Sequence, residues 1–254
     1  SARLQVSDTD GYNPQTLLTS DQPIMSPAWS PDGSELAYVS FESGQAEIFT
    51  HNILTGVRKS RSKFKGLNGS PAWSPDGKKL VMTLSKDGNP DIYVLNLSDN
   101  KLKRITNHWS IDTEAAWLPD GKSIVYTSSR SGKPQLYKQA ISTNAKPERL
   151  TYEGNYNASA SVSADGKSVA YVHGEGNIYR IAVLELATKS SRVLTDGPLD
   201  ESPVYAPNNS MILFASQEKN QAVLAAVSVD GRQKQRLAFT DGEVREPSWA
   251  PVRH

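Results

Sequence analysis

The segment Pro27-Ala28-Trp29-Ser30-Pro31-Asp32-Gly33 returns almost unchanged as Pro71-Ala72-Trp73-Ser74-Pro75-Asp76-Gly77. Ala115-Ala116-Trp117-Leu118-Pro119-Asp120-Gly121 is a third copy, and Ala160-Ser161-Val162-Ser163-Ala164-Asp165-Gly166 a weaker fourth. Two more follow, Pro203-Val204-Tyr205-Ala206-Pro207-Asn208-Asn209 and Pro247-Ser248-Trp249-Ala250-Pro251. The tryptophan position steps through 29, 73, 117, 162, 205 and 249, at intervals of 44, 44, 45, 43 and 44. That period is too long for a leucine-rich repeat and fits the about 40 to 45 residues of one propeller blade. A unit this small cannot bury its own apolar face, so several must stack around a shared core.

Inside each period the pattern is that of strands. Each turn is followed by an apolar run: Leu36-Ala37-Tyr38-Val39, Leu80-Val81-Met82, Ile124-Val125-Tyr126, Val169-Ala170-Tyr171-Val172 or Ile212-Leu213-Phe214. A polar loop leads to a second run, such as Ile92-Tyr93-Val94-Leu95 or Leu136-Tyr137-Lys138-Gln139. A last short strand is predicted to end at Thr106, Thr151, Thr195 or Thr240. β-Branched and aromatic residues suit a pleated surface, while Pro and Gly every ten residues or so leave no room for a helix. In the turn, Pro31 presets the first corner, Asp32 bonds back to the backbone and Gly33 supplies a positive φ. The tryptophan fills the wedge between neighbouring blades.

The fold expected is therefore all-β: a six-bladed β-propeller of four-stranded blades, with residues 1–254 as one domain. Five units are complete in sequence and the sixth is split. Glu246–Pro251 supplies an innermost strand, while Arg3–Asp8 and Gln15–Thr19 resemble the third and outermost strands. Sharing one blade between the termini would close the ring and hide its edges. The second strand of that blade has no candidate, so residues are expected ahead of Ser1 in the natural chain.

Composition narrows the function. A net charge of +1 does not suggest nucleic acid, whose backbone calls for a basic face. No apolar run nears the roughly 18 residues needed to span a bilayer, and no signal segment opens the chain. Cysteine is absent, which removes disulfides and thiolate chemistry. The four His residues, 51, 108, 173 and 254, have no metal-like spacing, and His51 and His108 read as surface or turn residues. There is no Gly-x-Ser-x-Gly elbow and no phosphate-binding glycine loop. The basic run Arg58, Lys59, Arg61, Lys63 and Lys65 falls on an outermost strand, where cations deter edge pairing.

A propeller gathers the loops that lead into its innermost strands around one mouth of the channel. These are Ile24-Met25-Ser26, Asn68-Gly69-Ser70, Asp112-Thr113-Glu114, Asn157-Ala158-Ser159, Asp200-Glu201-Ser202 and Val244-Arg245-Glu246. Small residues there permit close approach, and carboxylates and amides can meet backbone donors of an inserted segment. No cofactor is expected. Converging carboxylates could instead hold a Ca²⁺ ion, which takes about six to eight oxygens. Asp8-Thr9-Asp10-Gly11 reads as a tight turn rather than a calcium loop.

The repeated Pro-Ala-Trp-Ser-Pro-Asp-Gly units carry a resemblance, together with Asp8–Asn13, the phrase from Pro23 to Gly44, Asp200-Glu201-Ser202-Pro203 and Thr240-Asp241-Gly242. Over Leu4 to Pro251 the sequence resembles the propeller domain of the TolB family. The resemblance implies a periplasmic, non-enzymatic, monomeric part of the Tol–Pal system, which supports outer-membrane integrity and cell division in Gram-negative bacteria. It implies the Pal lipoprotein as partner, with colicin segments threading into the same region, and contacts at Leu67, Ser70, Thr113 and Glu114. TolA contact belongs to an amino-terminal region this sequence lacks, so TolA is not carried over. Two readings stay open beside it. One is the accessory propeller of a prolyl-oligopeptidase-type peptidase, whose catalytic domain would lie elsewhere. The other is a metal-dependent lactonase.

Overall fold

A computed structural model describes residues 1–142, 144–218, 221–237 and 244–251. Strands β1 (Ala2–Val6) and β2 (Gln15–Ser20) form a two-stranded sheet joined by the Asp8–Gly11 turn. Four-stranded antiparallel meanders follow. Blade one is β3 (Ile24–Trp29), β4 (Glu35–Ser40), β5 (Glu47–Asn52) and β6 (Arg58–Ser62). Blade two is β7 (Asn68–Trp73), β8 (Lys79–Leu84), β9 (Asp91–Asn96) and β10 (Leu102–Arg104). Blade three is β11 (Asp112–Trp117), β12 (Ser123–Ser128), β13 (Gln135–Ala140) and β14 (Glu148–Arg149). Blade four is β15 (Tyr156–Val162), β16 (Ser168–Glu175), β17 (Ile178–Glu185) and β18 (Ser190–Val193). Blade five is β19 (Asp200–Tyr205), β20 (Met211–Glu218), β21 (Gln221–Ser228) and β22 (Lys234–Arg236).

The repeat thus folds as a propeller, but among the described residues with five four-stranded blades and a separate two-stranded sheet, not the six blades expected. The reason lies in the second strand of the split unit. Residues 246–251 lie between blades five and one, where Trp249 packs with Leu213 and Leu224. Ser26 donates its N–H to the Glu246 carboxylate across the same junction. With no strand beside them, these residues have no ladder and form no strand. Among the described residues β1 pairs with β2 alone. Thr240, Asp241, Gly242 and His254 lie outside the described residues.

Packing follows from the repeat. The innermost strands β3, β7, β11, β15 and β19 touch in sequence. The indole N–H of Trp73 donates to the carbonyl of Ala28 at 3.1 Å, and that of Trp117 to Ala72 at 3.1 Å, so each ring reaches back one blade. Fully buried Tyr38, Tyr93, Tyr126 and Phe214 fill the layers between sheets, each stabilising the fold by about 2 kcal/mol. The threonines expected at the ends of the outermost strands lie just beyond them. Buried Thr106, Thr151 and Thr195 accept the backbone N–H of Ile92, Leu136 and Ile181 at 2.9, 2.9 and 3.0 Å. Each stitches the end of the meander to its third strand. In the Pro-Asp-Gly turns, Asp32 accepts from Ser30 Oγ and Ser34 N–H while Gly33 takes φ 69°.

Candidate functional site

Every innermost strand carries a β-bulge at the mouth. In blade one the register slips between Met25 and Ala28, so Ser26 and Pro27 together oppose Tyr38. The same slip sets Ser70, Glu114, Ser159 and Ser202 opposite Met82, Tyr126, Tyr171 and Phe214. All of these bulge residues, and Glu246 at the equivalent position, have φ between 48° and 56°. Left-handed backbone is costly for residues with a Cβ and is maintained only where surrounding structure enforces it. Bulges bend the strand and re-aim its side chains.

Read round the ring, the bulge residues are Ser26, Ser70, Glu114, Ser159, Ser202 and Glu246, with the two glutamates three units apart. Both clasp the next unit. Glu114 Oε2 accepts the Ser159 N–H at 3.1 Å, and Oε1 accepts the Ser159 hydroxyl at 3.2 Å. The Glu246 carboxylate accepts the Ser26 N–H. Glu246 also senses the charges of Glu114 and Glu201. Burial, then the charges of Glu114 and Glu201, raises the Glu246 carboxyl above its ordinary range, against the Ser26 N–H and Arg245. Burial, with the Glu114, Tyr179 and Glu201 charges, pushes the Tyr156 phenol up to about 12. A cavity of about 110 Å³ is bordered by Glu201, Ser202, Arg245 and Glu246.

The expected site residues divide into two groups. Met25, Leu67, Glu201 and Arg245 are exposed, and Ser26, Ser70, Thr113, Glu114, Ser159, Ser202 and Glu246 are partly so. Asn68, Asp112, Asn157 and Asp200, each two residues before a bulge residue, are fully buried. Asp112 and Asp200 tie the incoming loop to its own blade, and Asn68 and Asn157 tie it to the blade before. Asn68 accepts from Ser62 Oγ at 2.6 Å and Phe64 N–H at 3.0 Å; Asp112 pairs with Arg130 at 2.8 Å; Asn157 donates to Gln135 Oε1 at 2.9 Å; Asp200 accepts from Ser216 Oγ at 2.6 Å. These four cannot touch a partner without unfolding the loop.

Sequence reasoning missed a set of apolar side chains on the same loops. Trp109, Tyr152 and Ile111 stand 79%, 63% and 52% exposed. Each loop leads from an outermost strand to the next innermost one. The signal was available: Trp109 is out of phase with the repeating tryptophans and so has no wedge to fill.

Other candidates resolve structurally. His51 is buried in β5 beside Tyr38, not at the surface, and burial and the Arg58 charge lower its pKa. His108 bonds to Ser110 at 2.7 Å. In the basic run, Arg58 pairs with Glu42 at 2.6 Å and lies over the Phe49 ring, Arg61 donates to Thr50 Oγ1, and Lys63 pairs with Glu47. Asp8 and Asp10 close a tight turn on Gly11, Tyr12 and Asn13. Among the described residues no group of three or more His, Asp or Glu is arranged to hold a metal ion, and no helix is long and apolar enough to cross a membrane.

Known proteins share this ring. The family model described as the TolB beta propeller domain matches residues 1–253. The Tol-Pal system protein TolB of Xanthomonas campestris pv. campestris is 65% identical over 252 residues, 98% of this chain and 57% of the relative. That of Xanthomonas oryzae pv. oryzae is likewise 65% identical, with the same coverage. The crystal structure of TolB from Acinetobacter baumannii superposes with a TM-score of 0.93 at 46% identity, covering 98% of this chain and 63% of that one. The chain spans a little over half the length of the curated relatives it matches. It belongs to the TolB β-propeller family.

Proposed function

We propose that this chain is a protein-docking propeller of the Tol–Pal cell-envelope system, held in the periplasm, that takes the Pal lipoprotein at its channel mouth. Colicin segments enter the same mouth, and the docking serves outer-membrane integrity and cell division. The domain binds and performs no chemistry of its own. The single observation that carries this reading is the left-handed backbone that recurs on serines and glutamates at 26, 70, 114, 159, 202 and 246, the first five of them at β-bulges. The 65% identity to Tol-Pal system proteins supports the choice of system.

The mouth has the make-up of a docking surface. A rim of Leu67, Trp109, Ile111 and Tyr152 offers apolar area for a partner to bury on one side, and Glu201 and Arg245 give polar contacts on the other. Backbone N–H groups of an inserted loop would meet carboxylates already desolvated and set in place.

Calorimetry with purified Pal tests the reading. Ser70→Arg combined with Thr113→Arg places bulk on the rim without touching the Glu114–Ser159 clasp. Affinity should fall at least about tenfold, equivalent to about 1.4 kcal/mol, with thermal unfolding unchanged. Unaltered affinity in a folded double variant would remove the mouth as the Pal site.

A further inference from the structure

β6 lies at the outer end of blade one, across the meander from the innermost strand β3. Residues 58–65 carry Arg58, Lys59, Arg61, Lys63 and Lys65 and no carboxylate. Among the described residues two carboxylates pair with this run, Glu42 with Arg58 at 2.6 Å and Glu47 with Lys63 at 3.3 Å. The other three cations have none. Arg61 donates to Thr50 Oγ1 at 2.8 Å, and Lys59 and Lys65 stand exposed.

Edge protection does not account for that surplus. Around β22, the outermost strand of blade five, Arg232, Lys234 and Arg236 each face a carboxylate, Asp230, Asp196 and Glu218. In blade two Lys101 pairs with Asp99 and Arg104 with Asp91, while Lys103 donates to the Ile141 carbonyl. The outermost strand of blade one departs from this pattern by leaving charge open. β6 is also a poor template for another strand. Its ladder slips between Ile48 and Phe49, with Arg61 as the extra residue, and bulges and cations both oppose edge pairing.

Apolar side chains bracket the basic run. Leu54 and Val57, in the turn before β6, are 84% and 52% exposed, and Phe64 after it is 39% exposed. The Lys86 ammonium lies 5.6 Å from the Phe64 ring. A soluble polyanion would satisfy the cations and leave these apolar groups in water. A bilayer surface answers both, because anionic headgroups meet the cations while apolar side chains enter the boundary between headgroups and acyl chains. We propose that the outer edge of blade one docks on a bilayer bearing anionic headgroups. Lys59, Arg61 and Lys65 meet the headgroups, and Leu54 and Val57 enter the boundary beside them. Each cation held near such a surface raises partition about fivefold.

Vesicle co-sedimentation of the purified chain tests this. Vesicles of phosphatidylcholine and phosphatidylglycerol at about three to one should carry the chain down, and pure phosphatidylcholine should not. Raising salt from about 0.05 M to about 0.5 M should release it. Lys59→Glu combined with Lys65→Glu should weaken partition at least about tenfold, and Leu54→Ser about threefold. Lys122→Glu with Lys167→Glu makes the same change in net charge at exposed turns of blades three and four, and should leave partition within about twofold. All of these variants should melt as the wild type does. Three outcomes would overturn the proposal: no sedimentation with anionic vesicles at the lower salt, an equal loss in both double variants, or full vesicle binding by Leu54→Ser together with equally tight binding of soluble polyphosphate. The last would give the run to a soluble polyanion.

Discussion

The Glu246 carboxylate accepts the backbone N–H of Ser26, a residue 220 positions away, and so fastens the end of the described chain to its first blade. Burial and the charges of Glu114 and Glu201 raise the Glu246 pKa above the ordinary carboxyl value of 4.5. The folded chain therefore holds a proton on this group more readily than the unfolded chain does. The resulting stabilisation is complete below the unfolded pKa and fades as pH rises through the folded one. Glu246→Gln should thus look worst in acid. Its melting temperature relative to wild type should improve from about pH 4 to pH 7, measured by calorimetric scans across that range.

The tryptophan positions should differ in what they lose. Trp73→Phe and Trp117→Phe each take the indole donor from the carbonyl of a half-buried alanine, Ala28 or Ala72, and should cost about 1 to 2 kcal/mol. Trp249→Phe removes an N–H that has no partner and should cost less than about 1 kcal/mol. Urea unfolding of the three variants compares them directly.

Asp112 and Trp109 separate structure from binding. Asp112 is fully buried against Arg130, so Asp112→Ala should cost about 3 to 5 kcal/mol by leaving an unpaired cation. Pal affinity of the folded fraction should stay as it was. Trp109→Ala, at a largely exposed ring, should do the reverse: stability within about 0.5 kcal/mol of wild type and weaker Pal binding by calorimetry.

Bulge strain can be read by substitution. Ser202 has φ 53°. Glycine removes the Cβ conflict at the cost of a freer unfolded chain, so Ser202→Gly should shift stability by less than about 1 kcal/mol. Ser202→Val, β-branched at a positive φ, should destabilise by about 2 kcal/mol. Denaturant midpoints for both variants give the comparison.

The period and the strand runs were legible because each blade buries the same face, which forces the same residue types to recur. Blade number was not. Trp249 and Pro251 carry the motif of an innermost strand, but a motif without an adjacent strand forms no ladder. The mouth was partly legible. Ser70 and Glu114 are where the repeat places them, and nothing in the spacing separates them from Asn68 and Asp112, two residues earlier, which burial assigns to the scaffold. The positive φ common to Ser and Glu at one repeat position is a property of register, invisible in residue types. Trp109 and Ile111 stand outside the repeat, so its period gives no sign of them.

The backward reach of Trp73 to Ala28 and of Trp117 to Ala72 gives the ring a direction. Blades two and three lean on their predecessor's backbone, so a lesion in blade one or two is felt first by the blade that follows it. Perturbations should travel toward the carboxyl terminus more readily than toward the amino terminus, an asymmetry that a circle of near-identical parts would not otherwise possess.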